Sequence, residues 1–106
     1  MKRDLYIGID IGGQSSKCGV VEADGNILAQ RVITSLQEEL ELYLSDLCNV
    51  IAELREETEP FGHVKGIGIG APNANYYTGT IEHAPNIRWC RDVSGATVTV
   101  PIAQLI

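Results

Sequence analysis

Leu5, Ile7, Ile9 and Ile11 alternate with Tyr6, Gly8, Asp10 and Gly12, a period of two that marks an extended strand. One of its faces carries branched apolar side chains, and the other is nearly bare, open to a ligand or another backbone. The continuation restricts the fold further. The strand runs into Gly12-Gly13, and the next apolar run, Lys17-Cys18-Gly19-Val20-Val21, is again extended, ending at the hairpin-turn pair Asp24-Gly25. Common glycine-rich phosphate cradles lead from a strand into a helix N-terminus, whose free N–H groups meet the anion. Here no helix follows, so a phosphate would sit in the turn between two antiparallel strands.

The remaining pattern completes an α/β unit. The second strand covers about residues 16–22 and the third about 26–33, which together with the first form a meander. Ser35, with Glu38 three residues on, has capping-box spacing, and Glu39 and Glu41 favour the positive end of a helix dipole. Leu40, Leu44, Leu47, Ile51 and Leu54 then recur at three- and four-residue spacing, predicting a helix from Ser35 to Thr58, ahead of Pro60. A strand over 64–70 follows, parallel to the first through this crossover. From Ala71 the chain is rich in turn residues, with a short strand at 80–82, and Pro101 stands where a first helical turn tolerates it. The expected architecture is a mixed five-stranded sheet in the order 3-2-1-4-5, with the helix packed on one face. The 106 residues form one small domain, and the apolar run after Pro101 stops without cap or polar tail, which leads us to expect the first part of a longer protein.

A net charge of −6 argues against nucleic acid as a partner, since that binding rests on Lys and Arg neutralising phosphates. A few local N–H groups and one cation still suffice for a small anion. No apolar stretch approaches the ~20 residues of a membrane span, so no membrane partner is expected. A strand begins within a few residues of Met1, leaving no room for a signal peptide. Cys18, Cys48 and Cys90 are widely spaced and odd in number, as for free thiols in a reducing compartment. The expected location is the cytoplasm.

Neither GxxxxGK[ST] nor GxGxxG occurs at Gly8–Lys17. In a DxGG hairpin, Gly12 and Gly13 let the backbone direct N–H groups at a phosphate, and Ser15 and Ser16 offer hydroxyls. Asp10 could hold Mg2+ through water, and Lys17 could add charge or lie on the solvent face. A plain glycine hairpin with a solvated aspartate satisfies the same residues. His63 and His83 lack neighbouring ligands at metal spacing and read as surface residues, and Trp89 with Ile87 reads as a core plug.

Taken together, "DIGGQSSKCGVVEADGNIL", an acidic helix, "GIGIGAPN" and "TGTIEHAPNIRW" resemble, in order and spacing, the N-terminal half of the ROK family, which holds bacterial glucokinases, related sugar kinases and sugar-responsive repressors. The resemblance covers nearly the whole chain. It implies the ribonuclease-H-like fold of the actin, Hsp70 and hexokinase superfamily, with the first hairpin wrapping ATP phosphates. It assigns Asp10, Gly12, Gly13, Gln14, Ser15, Ser16 and Lys17 to ATP, with Asp10 also serving Mg2+, and Pro72, Asn73, Ala74 and Asn86 to a hexose. Two departures stand out. Gln14 replaces the family's usual threonine, and Asn73-Ala74-Asn75-Tyr76-Tyr77 replaces its usual glycine–proline loop and is one residue shorter. Asn73 could bond a sugar hydroxyl or occupy the left-handed turn position.

The family's catalytic aspartate and its zinc-binding segment lie in later motifs, and no residue up to Ile106 reads as the general base; Asp92 is a candidate only in name. The resemblance therefore implies the nucleotide-phosphate-binding lobe, residues 1–106, of a longer homo-oligomeric hexokinase, glucokinase above all, which folds by itself but is inactive. The alternatives are the lobe of a sugar-sensing repressor, whose helix-turn-helix would precede the first strand, and a non-enzymatic actin-like binding module.

Overall fold

The alternation at the N-terminus forms strand β1 (Arg3–Ile11), in which Leu5, Ile7, Ile9 and Ile11 are all buried and the residues between them exposed. In this computed structural model, which describes residues 2–106, β1 is the centre of the main sheet. It pairs antiparallel with β2 (Ser15–Glu22), which pairs antiparallel with β3 (Ile27–Thr34), and parallel with β4 (Gly62–Gly70) on its other side. The register sets Asp10 opposite Lys17 on one side and Gly70 on the other. Helix α1 (Leu40–Thr58) makes the crossover from β3 to β4 and packs on the face carrying the β1 isoleucines. The other face stays open, lined by Gly8, Gly19, Gly66, Gly68 and Gly70, with Tyr6 and Val32 partly or largely exposed.

The sheet has four strands, ordered β3-β2-β1-β4, and not the five expected from the sequence. The predicted fifth strand exists as β6 (Thr80–Glu82), but it pairs with β5 (Ala74–Asn75) and β7 (Thr99–Val100) in a separate small sheet. The cause lies in residues 72–73. Pro72 has no N–H to continue a ladder, and Asn73 adopts φ 57°, which reverses the chain directly after β4. The Asn73 side-chain amide then donates to the carbonyls of Glu82 and His83, at 2.9 and 3.2 Å, holding β6 in its own hairpin. A short helix, α2 (Ile102–Leu105), follows Pro101.

The helix also starts later than its capping-box signal. Glu39 is the residue before the first turn and makes no side-chain cap, whereas Ser35 is buried with its Oγ 2.7 Å from that of Ser16. A buried hydroxyl gains more from a partner inside the core than from a helix end in solvent. Thr34 meanwhile accepts a hydrogen bond from the Leu36 N–H and turns the chain out of β3. The buried stripe is Tyr43, Leu47, Ile51, Leu54 and Thr58, rotated from the predicted leucine stripe so that Leu40 and Leu44 flank it.

The parallel β1–β4 pair depends on Gly62, where an added Cβ would lie 2.1 Å from the Arg3 carbonyl oxygen and 2.9 Å from the Leu5 side chain. Gly62→Ala should therefore destabilise the chain by about 2–3 kcal/mol. Gly68→Ala, where a Cβ meets nothing within 4 Å, should change stability by less than about 1 kcal/mol. Urea denaturation midpoints of the two variants check this pair.

Candidate functional site

Three residues, Gly12-Gly13-Gln14, connect β1 to β2, and the Gly12 N–H closes the turn on the Ser15 carbonyl at 3.0 Å. Neither glycine has a positive φ, so both are needed for room rather than for backbone freedom. A Cβ on Gly12 would come within 2.9 Å of the Ser15 carbonyl oxygen, and one on Gly13 within 2.9 Å of the Asn86 carbonyl oxygen. The Gln14 carbonyl accepts from the Ser35 N–H at 2.9 Å. Among the described residues, no protein acceptor engages the N–H of Gly13 or Gln14, which leaves two consecutive backbone donors of the kind that cradle anions. Gln14 and Ser15 are exposed beside them, and Asp10 and Lys17 are exposed cross-strand neighbours on the open face.

Ser16 does not share that surface. Opposite Ile11, it points to the helix side of β2, where its Oγ lies 2.7 Å from Ser35 Oγ and 2.6 Å from the Tyr43 hydroxyl. The expectation that Ser16 offers its hydroxyl to a phosphate is therefore corrected, because strand alternation turns it inward with Cys18 and Val20. Tyr43 in turn stacks on Trp89, with ring centroids 4.5 Å apart and planes at 22°. Trp89 and Ile87 fill the core as expected. Among the described residues, the Trp89 indole N–H has no protein partner.

The second group of predicted residues is split. Asn86 is exposed, and its backbone abuts Gly13, so the structure joins it to the turn. Ala71 and Pro72 leave β4 beside Asp10 through the Asp10–Gly70 pairing. Asn73 occupies the left-handed turn position, with its amide hydrogens already donated to Glu82 and His83. Ala74 lies in β5 and is exposed. His83, also at positive φ, has Nδ1 3.0 Å from the Thr97 carbonyl. The Asp92 carboxylate accepts from the Ser94 hydroxyl, the Ser94 N–H and the Ala96 N–H, which hold it below the usual carboxylate range. It thus ties the turn at residues 92–96. Among the described residues, no three His, Cys, Asp or Glu side chains converge on a possible metal position.

Sequence reasoning missed Tyr43 and Ser35 as supports of the turn. The parity of Ser16 with Cys18 and Val20 was the available signal. Burial pushes the Tyr43 hydroxyl up to about 12, against an ordinary 10.0, while its bonds to Ser16 and Ser35 act in the opposite sense. The folded chain thus holds this proton more tightly than the unfolded chain does. Stability due to Tyr43 should be complete below pH ~10 and fall by about 2–3 kcal/mol as pH rises to ~12. The Cys18 thiol, also raised by burial, adds a loss of the same sign. Urea denaturation at pH 8 and pH 11 should show a large drop in the wild type and a smaller one in Tyr43→Phe.

Residues 6–96 match the ROK family. The glucokinase of Streptomyces coelicolor is 36% identical over 87 residues, which are 80% of this chain and 26% of that enzyme. A ROK family glucokinase from Streptomyces griseus, solved in complex with glucose and AMPPNP, superposes with a TM-score of 0.68 at 32% identity, covering 80% of this chain and 26% of that one. A ROK family transcriptional regulator, a homolog of the E. coli MLC protein, shares the fold at TM-score 0.75 and 15% identity, over 96% of this chain and 24% of its own. The chain thus spans about a quarter of the length of these relatives. With its match running from β1 past Trp89, the chain belongs to the ROK family.

Proposed function

We propose that residues 1–106 are the nucleotide-phosphate-binding lobe of a longer ATP-dependent hexokinase, with glucose as the favoured sugar. The observation that carries this reading is the two-glycine turn, with two free N–H groups, seated against the Asn86 backbone in a chain 32–36% identical to glucokinases. Phosphoryl transfer asks mainly for positioning and charge neutralisation. Gly13 and Gln14 supply backbone donors to the ATP phosphates, Ser15 a hydroxyl and Lys17 a positive charge. Asp10 is a lone carboxylate, which suits Mg2+, an ion bound through one or two carboxylates with substrate phosphates and water completing its shell. Asn86 and the Pro72–Ala74 corner form the sugar side, where Asn73 shapes the wall through its backbone. The base that takes the sugar hydroxyl proton comes from the rest of the protein. Cytoplasmic location and homo-oligomeric assembly belong to the same reading. The regulator alternative rests on likeness of fold alone.

In the full-length protein, Asp10→Ala should lower kcat at least ~100-fold, while the KM for glucose changes less than about threefold, because metal–nucleotide placement fails and the sugar wall persists. Steady-state kinetics with both substrates varied measures the split, and an unchanged kcat makes Asp10 a hairpin residue only. Residues 1–106 alone should fold and release no ADP in a coupled assay with glucose, mannose, fructose or N-acetylglucosamine, since an open lobe without a base lacks both proton transfer and a dry cleft. Turnover near the full-length rate would overturn the assignment of the chemistry to the missing part.

A further inference from the structure

The turn and the Asn86 segment belong to distant parts of the chain, yet two routes join them. One is direct: the Gly13 backbone lies against the Asn86 carbonyl, with no room for a side chain. The other runs through the core. Ser16, the second residue after Gln14, bonds the Tyr43 hydroxyl at 2.6 Å, and Tyr43 stacks on Trp89, three residues after Asn86. Ser35 closes the arrangement, bonding Ser16 through its hydroxyl and Gln14 through its N–H. A single buried hydroxyl on α1 thus touches the base of the turn, while its ring supports the segment forming the opposite wall. Hydroxyl networks of this kind, satisfied in a low-dielectric core, fix one geometry strongly.

We propose that Tyr43 is a positioning residue that couples the Gly12–Ser15 turn to the Asn86–Trp89 segment, so that occupancy of one sets the other. Tyr43 is fully buried, with its hydroxyl committed to Ser16. Its ring alone would keep the stack on Trp89, whereas its hydroxyl adds the link to Ser16. Removing only the hydroxyl separates the two contributions. The consequence for nucleotide and sugar rests on the kinase reading above, whereas the coupling between the two segments does not.

The experiment compares the full-length wild type with Tyr43→Phe and Ser16→Ala, which remove the two ends of the same hydroxyl bond, by hydrogen exchange without ligand, and by calorimetric titration with AMPPNP and with glucose. In both variants, exchange should be at least threefold faster in peptides covering 10–17 and 84–91, and unchanged in a β4 peptide covering 64–70. AMPPNP affinity should fall about three- to tenfold, and the tightening of glucose binding by AMPPNP should shrink towards none. Unchanged exchange in 84–91 overturns the coupling, as does an equal rise in the β4 peptide, which would mark general destabilisation. If Tyr43→Phe does not fold, Ser16→Ala carries the same comparison. Failure of the wild type to bind AMPPNP would overturn the kinase reading instead, with the exchange result still deciding the coupling.

Discussion

The buried side of β1 is the constraint around which the core is organised. Leu5, Ile7, Ile9 and Ile11 are each at most 3% exposed, and burying such side chains is worth about 1.5–3 kcal/mol apiece. The same strand supplies ladders to β2 and β4, so its hydrogen bonds act within the sheet plane and its apolar row acts perpendicular to it. Because side chains alternate along a strand, an inward row of four isoleucine and leucine residues forces Asp10 to the other face. The acid of the candidate site is thereby placed by residues buried in the core.

Much of this was legible beforehand. Period-two alternation found β1, Asp24-Gly25 located the β2–β3 hairpin, and the leucine spacing found the body of α1. Local patterns failed where a distant partner decided the outcome. Ser35 reads as a helix cap until the Ser16 hydroxyl, nineteen positions away, takes it into the core. The strand at 80–82 reads as a fifth member of the main sheet until the positive φ of Asn73 folds it into a separate hairpin. Asparagine tolerates that conformation better than most residues, so the turn was foreseeable, but not the strand's choice of neighbour.

The site was legible to a similar degree. The two glycines announce a crowded turn, and the structure shows what crowds them: the Ser15 carbonyl for one and the Asn86 carbonyl for the other. Nothing within ten residues of Gly13 indicates Asn86. Ser16 was misread because a hydroxyl beside a glycine turn suggests ligand contact, although counting by twos from Val20 already turns it inward. Tyr43 escaped notice because an aromatic with a polar tip joins an apolar stripe only when the tip finds a partner.

The single-sided helix cover has a consequence for how the chain behaves in solution. With α1 on one face and β4 at the end of the sheet order, residues 62–70 present, among the described residues, an unpaired row of backbone groups beside a glycine-lined surface. Such an edge is a template for strand addition, and Ile67 within it adds exposed apolar area. Lys65 within the edge strand and the net charge of −6 work against self-association. Colloidal behaviour of the isolated chain is thus a contest between an open edge and mutual repulsion, and salt, which screens only the second, tips it towards aggregation.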